Sequence, residues 1–243
     1  VGDGVTNDTA AIQAAISASE SVYFPNGEYI TTATITGGSV NITCDSDVLV
    51  NGEGIPTSSS VFSFSGSLGT AQALTVNATT NQRDITVDAI PSGIAAGDVV
   101  LIQSVTSNSW SGFRTYKTQN IRRIESISGL VITLAEDLSS VFTTVEAEVY
   151  FPTMVKVSID GLTVKTSNSG GKSCLGVSLG DAPLITNTKS LNADILGISL
   201  GLCIDGVVEK CFSHIDATAT SYQYGIGINS CYNSTVRDCV SIA

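Results

Sequence analysis

Gly176-Val177-Ser178-Leu179, Gly197-Ile198-Ser199-Leu200 and Gly225-Ile226-Gly227-Ile228 can be laid over one another as three copies of one short strand. They begin 21 and 28 residues apart. A second apolar strand follows each copy. Ile159, Ile185, Val208 and Val236 space that second set by 26, 23 and 28 residues. A coil of three short strands with its turns uses about this many residues, and turns of varied length account for the scatter. Cys203 and Cys231 are 28 apart, and so are Cys211 and Cys239. Two pairs that keep one offset place like residues on like in successive coils. Parallel coils lie about 4.8 Å apart, so identical small side chains form inward ladders.

The composition of the 243 residues fits a stacked coil. There are 23 Gly, 32 Ser and 27 Thr, only 6 % aromatic residues and 14 % charged residues, against 42 % apolar residues. Too little charge and too much Val, Ile and Leu exclude a disordered chain. Too little Ala, Glu, Lys and Leu excludes a long helical bundle. Small and β-branched residues together indicate an all-β chain with many turns. Eleven basic residues face 22 acidic ones, for a net charge of −11. No basic cluster exceeds the pair Arg122-Arg123, which argues against nucleic acid and anionic membranes as partners. No apolar run reaches the roughly 18 residues that a membrane span requires.

Three stretches divide the chain. Residues 1–54 hold one helix, Ala-rich over 9–19 with Ile12 and Ile16 on one face, and then the short strands of a first coil. Residues 55–153 carry longer alternating strands between turn clusters such as Pro91-Ser92-Gly93, and are read as an inserted antiparallel barrel or sandwich. Residues 154–243 are the repeating coils. The start at Val1 and the stop at Ala243 within a strand pattern are read as the ends of a fragment.

Gly2-Asp3-Gly4-Val5-Thr6-Asn7-Asp8-Thr9-Ala10-Ala11-Ile12-Gln13-Ala14-Ala15-Ile16, followed by Val22-Tyr23-Phe24-Pro25-Asn26-Gly27-Glu28-Tyr29, resembles the opening of the pectate-lyase-like right-handed parallel β-helix superfamily. Within that superfamily the opening is most similar to those of bacteriophage tailspikes and capsule depolymerases. The resemblance implies an all-β right-handed solenoid with a short capping helix and an inserted small antiparallel β domain. It also implies a homotrimer on the virion tail, assembled in the host cytoplasm. The helix itself has a physical task, because an uncovered solenoid end exposes core and unpaired backbone.

Candidate chemistry is sparse. His214 is the single histidine. Ser213 beside it points to the opposite face of a strand, so the two cannot form a nucleophile–base pair. The six cysteines include no C-x-x-C pair, and no metal or cofactor is expected. The stacked cysteine pairs are close enough for disulfides; free buried thiols are the simpler reading. The Asp cluster with a basic partner of pectate lyases and the motifs of polygalacturonases are absent. What remains is carboxylate chemistry. Asp181 and Asp205 are 24 residues apart, close to one coil, and Glu209 follows. These three are the catalytic candidates for polysaccharide cleavage, which requires an acid and a base or nucleophile. The competing reading is that they are turn residues bonding local backbone. Asp216, Tyr222, Tyr224 and, in the insertion, Trp110 are the sugar-contact candidates.

The expected function is a tailspike fragment that binds, and by resemblance cleaves, bacterial surface polysaccharide, either capsule or O-antigen, during host adsorption. The alternatives are a non-catalytic structural or receptor-binding β-helix, and a secreted pectin-active lyase or hydrolase.

Overall fold

The computed structural model describes residues 2–110, 114–167, 169–215 and 224–242. They form two compact units, Val1–Gly66 with Val155–Ala243, and Ser67–Met154.

The first unit is a parallel β-helix. Each coil contributes a strand to three sheets in turn. Sheet II holds Ser21–Phe24, Val40–Cys44, Val157–Asp160, Leu184–Thr186, Val207–Glu209 and Thr235–Arg237. Sheet I follows with Gly27–Ile30, Val48–Asn51, Thr163–Lys165, Lys189–Leu191, Phe212–His214 and Val240–Ile242, and the leading strand Asp3–Asn7 adds to its edge. Sheet III takes Ile35–Gly37, Ser60–Ser65, Ser173–Ser178, Leu196–Gly201 and Tyr224–Asn229.

Period-2 alternation points every second residue inward, and the parallel register stacks those residues into columns. In sheet II the column is Val22, Ile42, Ile159, Ile185, Val208 and Val236. In sheet III it is Ile35, Phe62, Leu175, Ile198 and Ile226. Each such side chain removed from water contributes about 1.5–3 kcal/mol, which is why coils with so few aromatics hold together. The sheet I column changes character along its length, from Tyr29, Val50 and Val164 to Ser190, Ser213 and Ser241. Opposite those serines stand Gly197 and Gly225, where a β-carbon would collide with serine oxygens. Small faces small, and the coil closes tightly there.

The corners are built from left-handed residues that also stack. Leu179, Leu202 and Ser230 have φ of 54, 52 and 52°. Ala182, Asp205 and Asn233 have 49, 55 and 49°, and Asn187, Lys210 and Asp238 have 49, 53 and 53°. The conformation is tolerated best by Gly, Asn and Asp, which accounts for the turn composition.

Helix α1, Thr9–Ala18, begins where the Asn7 side chain accepts a bond from the Thr9 backbone N–H at 3.0 Å. Ile12 and Ile16 are buried in one core with Val22, Phe24 and Ile35. The helix is therefore a lid on the first coil.

The second unit is a six-stranded antiparallel sheet in the order Gln72–Ala73, Ala147–Tyr150, Val99–Ser104, Gln119–Ser128, Val131–Leu134, Asp84–Thr86. It has a core of its own around Val100, Ile102, Ile124, Ile132, Leu134 and Val149.

Two details differ from the sequence expectation. The insertion starts at Ser67, not residue 55, because Ser60–Ser65 pairs in parallel with Ile35–Gly37 and Ser173–Ser178 as a strand of sheet III. Gly176 stacks on Ser199 rather than Gly197, so this pair of coils is offset by 23 residues and not 21. A slip of two residues preserves the in/out alternation, so the pattern alone does not reveal it.

Candidate functional site

The flank of sheet II carries an open groove of about 620 Å³. Its polar lining comes from three coils that sequence separates widely: Glu20 and Ser39, then Asn41, then Lys156, Ser158 and Asp181. The register explains the convergence. Asn41 stacks on Ser158, Ser158 stacks on Leu184, and Asp181 bridges to Ile204 just before the next strand of the same sheet. The outward residues of these strands are short hydroxyls and amides, so the surface is recessed. An exposed cation, Lys156, stands with two carboxylates, Glu20 and Asp181.

Asp205 and Glu209 lie farther along this sheet. Because Asp181 pairs with Ile204, Asp205 is one residue out of step with Asp181 and occupies the left-handed corner column between Ala182 and Asn233. Its Oδ1 accepts a bond from Asn233 Nδ2 at 2.7 Å. Glu209 faces outward beside Arg237 at 2.8 Å and Lys210 at 3.6 Å. The hydrogen bond from Arg237 holds the Glu209 carboxyl below its usual range. A carboxyl held ionised suits a base or an electrostatic role and not a general acid at neutral pH.

The sugar-contact candidates do not converge on these acids. Tyr224 is exposed on sheet III, paired with Leu196. Trp110 lies in the second unit, in a two-stranded ribbon paired with Arg114–Tyr116. Asp216 and Tyr222 lie outside the described residues. Ser213 points into the core and His214 outward, where its Nδ1 lies 3.3 Å from Asn192 Oδ1. No Ser–His relay exists between them. Among the described residues no three His, Cys, Asp or Glu side chains gather as a metal site.

Glu20 and Lys156 were missed from sequence. The signal was available in the match of Val40-Asn41-Ile42 to Val157-Ser158-Ile159, which stacks the coils on either side of the insertion.

A family model described as rhamnogalacturonase A/epimerase, pectate lyase-like, matches residues 1–83. No curated protein matches the sequence. Among solved structures, the tailspike gp49 of Pseudomonas phage LKA1 superposes over 98 % of this chain and 45 % of its own, with TM-score 0.87 and 22 % identity. The tailspike gp61 of Pseudomonas phage phi297 covers 97 % of this chain and 41 % of its own, with TM-score 0.82 and 25 % identity. The chain is a pectate-lyase-like β-helix, built as in phage tailspikes. The β-helix also matches the gp54 tailspike of Acinetobacter baumannii bacteriophage AP22, solved in complex with A. baumannii capsular saccharide, at TM-score 0.64 and 14 % identity over 98 % of this chain and 51 % of that one. The pectate-lyase-like chain thus spans about half, or less, of the length of these tailspikes.

Proposed function

We propose that the chain is part of a phage tailspike and binds bacterial surface polysaccharide, capsule or O-antigen, along the sheet II groove during host adsorption. The observation that carries this is the groove itself: an elongated recess across several coils, lined by hydroxyl, amide and carboxylate groups. Such groups match the hydroxyls of a sugar chain, and a repeating solenoid offers the same spacing to a repeating polymer. The saccharide-bound tailspike among the structural neighbours supports the same reading.

Cleavage, if the groove performs it, falls to carboxylates. Glu20 and Asp181 line one recess, while Asp205 and Glu209 sit beside it with Asn233 and Arg237 as partners. A hydrolase requires one protonated acid and one base or nucleophile. The competing reading, a receptor-binding β-helix without turnover, is favoured by the engagement of Asp205 and Glu209 in structural contacts. Incubation with host capsule or O-antigen decides between them. Shortened polymer denotes an enzyme, and ultraviolet absorbance of an unsaturated product separates elimination from hydrolysis. Binding without shortening denotes the receptor-binding form. Absence of binding to the polysaccharide of a susceptible host would sink the proposal.

The assembly we propose is a homotrimer on the virion tail. The outer face of sheet III supports it: Ser63, Gly176, Ser178, Ser199, Gly201 and Asn229 form an uncharged surface, of the kind found at the core of protein interfaces. Light scattering on the purified chain measures the state directly, and a monomer at high concentration would count against this face.

A further inference from the structure

The two offset cysteine pairs prove to be columns. Gly180, Cys203 and Cys231 stack at one corner of sheet II, with Ile204 N–H bonded to Gly180 O and Tyr232 N–H to Cys203 O. Thr188, Cys211 and Cys239 stack at the other. Cys203 and Cys231 belong to successive coils, whose spacing of about 4.8 Å lies within the roughly 4.4–6.8 Å between α-carbons that a disulfide spans. The backbone N–H of Cys203 donates to Cys231 Sγ at 3.3 Å, and the Cys203 thiol donates to the same sulfur. All six cysteines are free.

We propose that Cys203 and Cys231 are a reactive dithiol that a peroxide closes into a disulfide stapling the fifth coil to the sixth. Two donors converge on the Cys231 sulfur. The thiol bond from Cys203 is the larger influence and holds Cys231 down to about 7, while the same bond pushes Cys203 up. Cys231 is the attacking thiolate. It displaces hydroxide from hydrogen peroxide and becomes a sulfenic acid, the hydroxide taking up a proton to form water. The Cys203 sulfur then attacks the sulfenic sulfur; the S–O bond breaks, and the departing oxygen takes the Cys203 proton to leave as a second water. Two thiols are oxidised, and one peroxide is reduced to two waters. The Cys211–Cys239 pair is the internal comparison. Burial pushes Cys211 up to about 11, so this pair is the slower one.

The test is to expose the folded 243-residue chain to hydrogen peroxide, alkylate in denaturant and map peptides without reduction. The expected result is one cross-linked peptide joining Cys203 to Cys231, loss of two of the six thiols, a raised melting temperature, and reversal by a dithiol reductant. Cys231→Ser should abolish the cross-link and leave Cys203 alkylatable. Mapping of the wild-type chain stands alone if that variant fails to fold. Retention of all six thiols, cross-linking confined to Cys211–Cys239, or oxidation of Cys231 to sulfinic acid with Cys203 untouched would each overturn the proposal.

Discussion

Gly197→Ala sets packing against backbone propensity at a single atom. Gly197 lies in an ordinary extended strand, with φ outside the left-handed region. Its glycine is therefore not demanded by conformation. On propensity alone, Ala in its place should stabilise the strand by roughly 0.5–1 kcal/mol. Packing gives the opposite sign. A β-carbon would stand 2.3 Å from Ser213 Oγ, 2.4 Å from the Gly225 carbonyl oxygen and 2.6 Å from Ser190 Oγ. The serines could rotate, but the carbonyl belongs to the next coil and cannot move without opening the register. Overpacking costs about 1–3 kcal/mol, and the immovable partner puts this site at the upper end. The net expectation is a loss of about 2 kcal/mol, or roughly 4–8 °C in melting temperature for a chain of this size. Gly201→Ala is the control. It sits on the same strand but faces out, with only Ser178 Oγ at 3.9 Å from its added carbon, and should be neutral or slightly stabilising. Urea unfolding followed by circular dichroism reads both variants. The double change Gly197→Ala with Ser213→Ala should recover part of the loss. Equal stability of the two single variants would refute the account of the serine–glycine column.

Three further outcomes follow from the same geometry. Ser213 Oγ is buried without a partner, and leaving such a group unsatisfied costs about 1–3 kcal/mol; Ser213→Ala should therefore be neutral or up to about 1 kcal/mol more stable in urea unfolding, and a clear loss would show that the hydroxyl is satisfied in solution. Asp205 holds φ of 55° in its corner, so Asp205→Val should cost about 1–2 kcal/mol in the same assay while Asp205→Asn should not. Glu209 is depressed by Arg237, so its contribution is present above the ordinary carboxylate range and lost as pH falls through its lowered value. The stability difference between wild type and Glu209→Gln should accordingly shrink toward zero in acid and in high salt, and a difference that persists at both extremes would exclude the ion pair as its cause.

The coils were legible in sequence wherever two independent residues kept one offset. The cysteine pairs gave the 28-residue step between the last coils, and Ile159, Ile185, Val208 and Val236 are the column observed in sheet II. Alignment on glycines misplaced one coil by two residues, because glycine occupies both faces here: Gly197 points in and Gly176 out. Ser60–Ser65 was assigned to the insertion since its stacking partners lie on the far side of that insertion. The site was less legible for the same reason. A groove on a solenoid is assembled across coils, so Glu20 and Lys156 meet through register and not through any local motif. Single acids near turns, such as Asp205, were visible, but their left-handed backbone gives them a local task that composition alone does not separate from chemistry.

The pairing of Val40–Cys44 directly with Val157–Asp160 has a consequence for how such chains diversify. The solenoid closes over the excursion Ser67–Met154 as if it were a turn. Closing a loop of that size costs on the order of 4 kcal/mol in chain entropy, yet doubling it adds only about 0.6. The seam between the second and third coils is therefore nearly indifferent to the length of what is threaded through it. Cassettes of different size can be exchanged at this position over evolutionary time, while the coils on either side keep their mutual register.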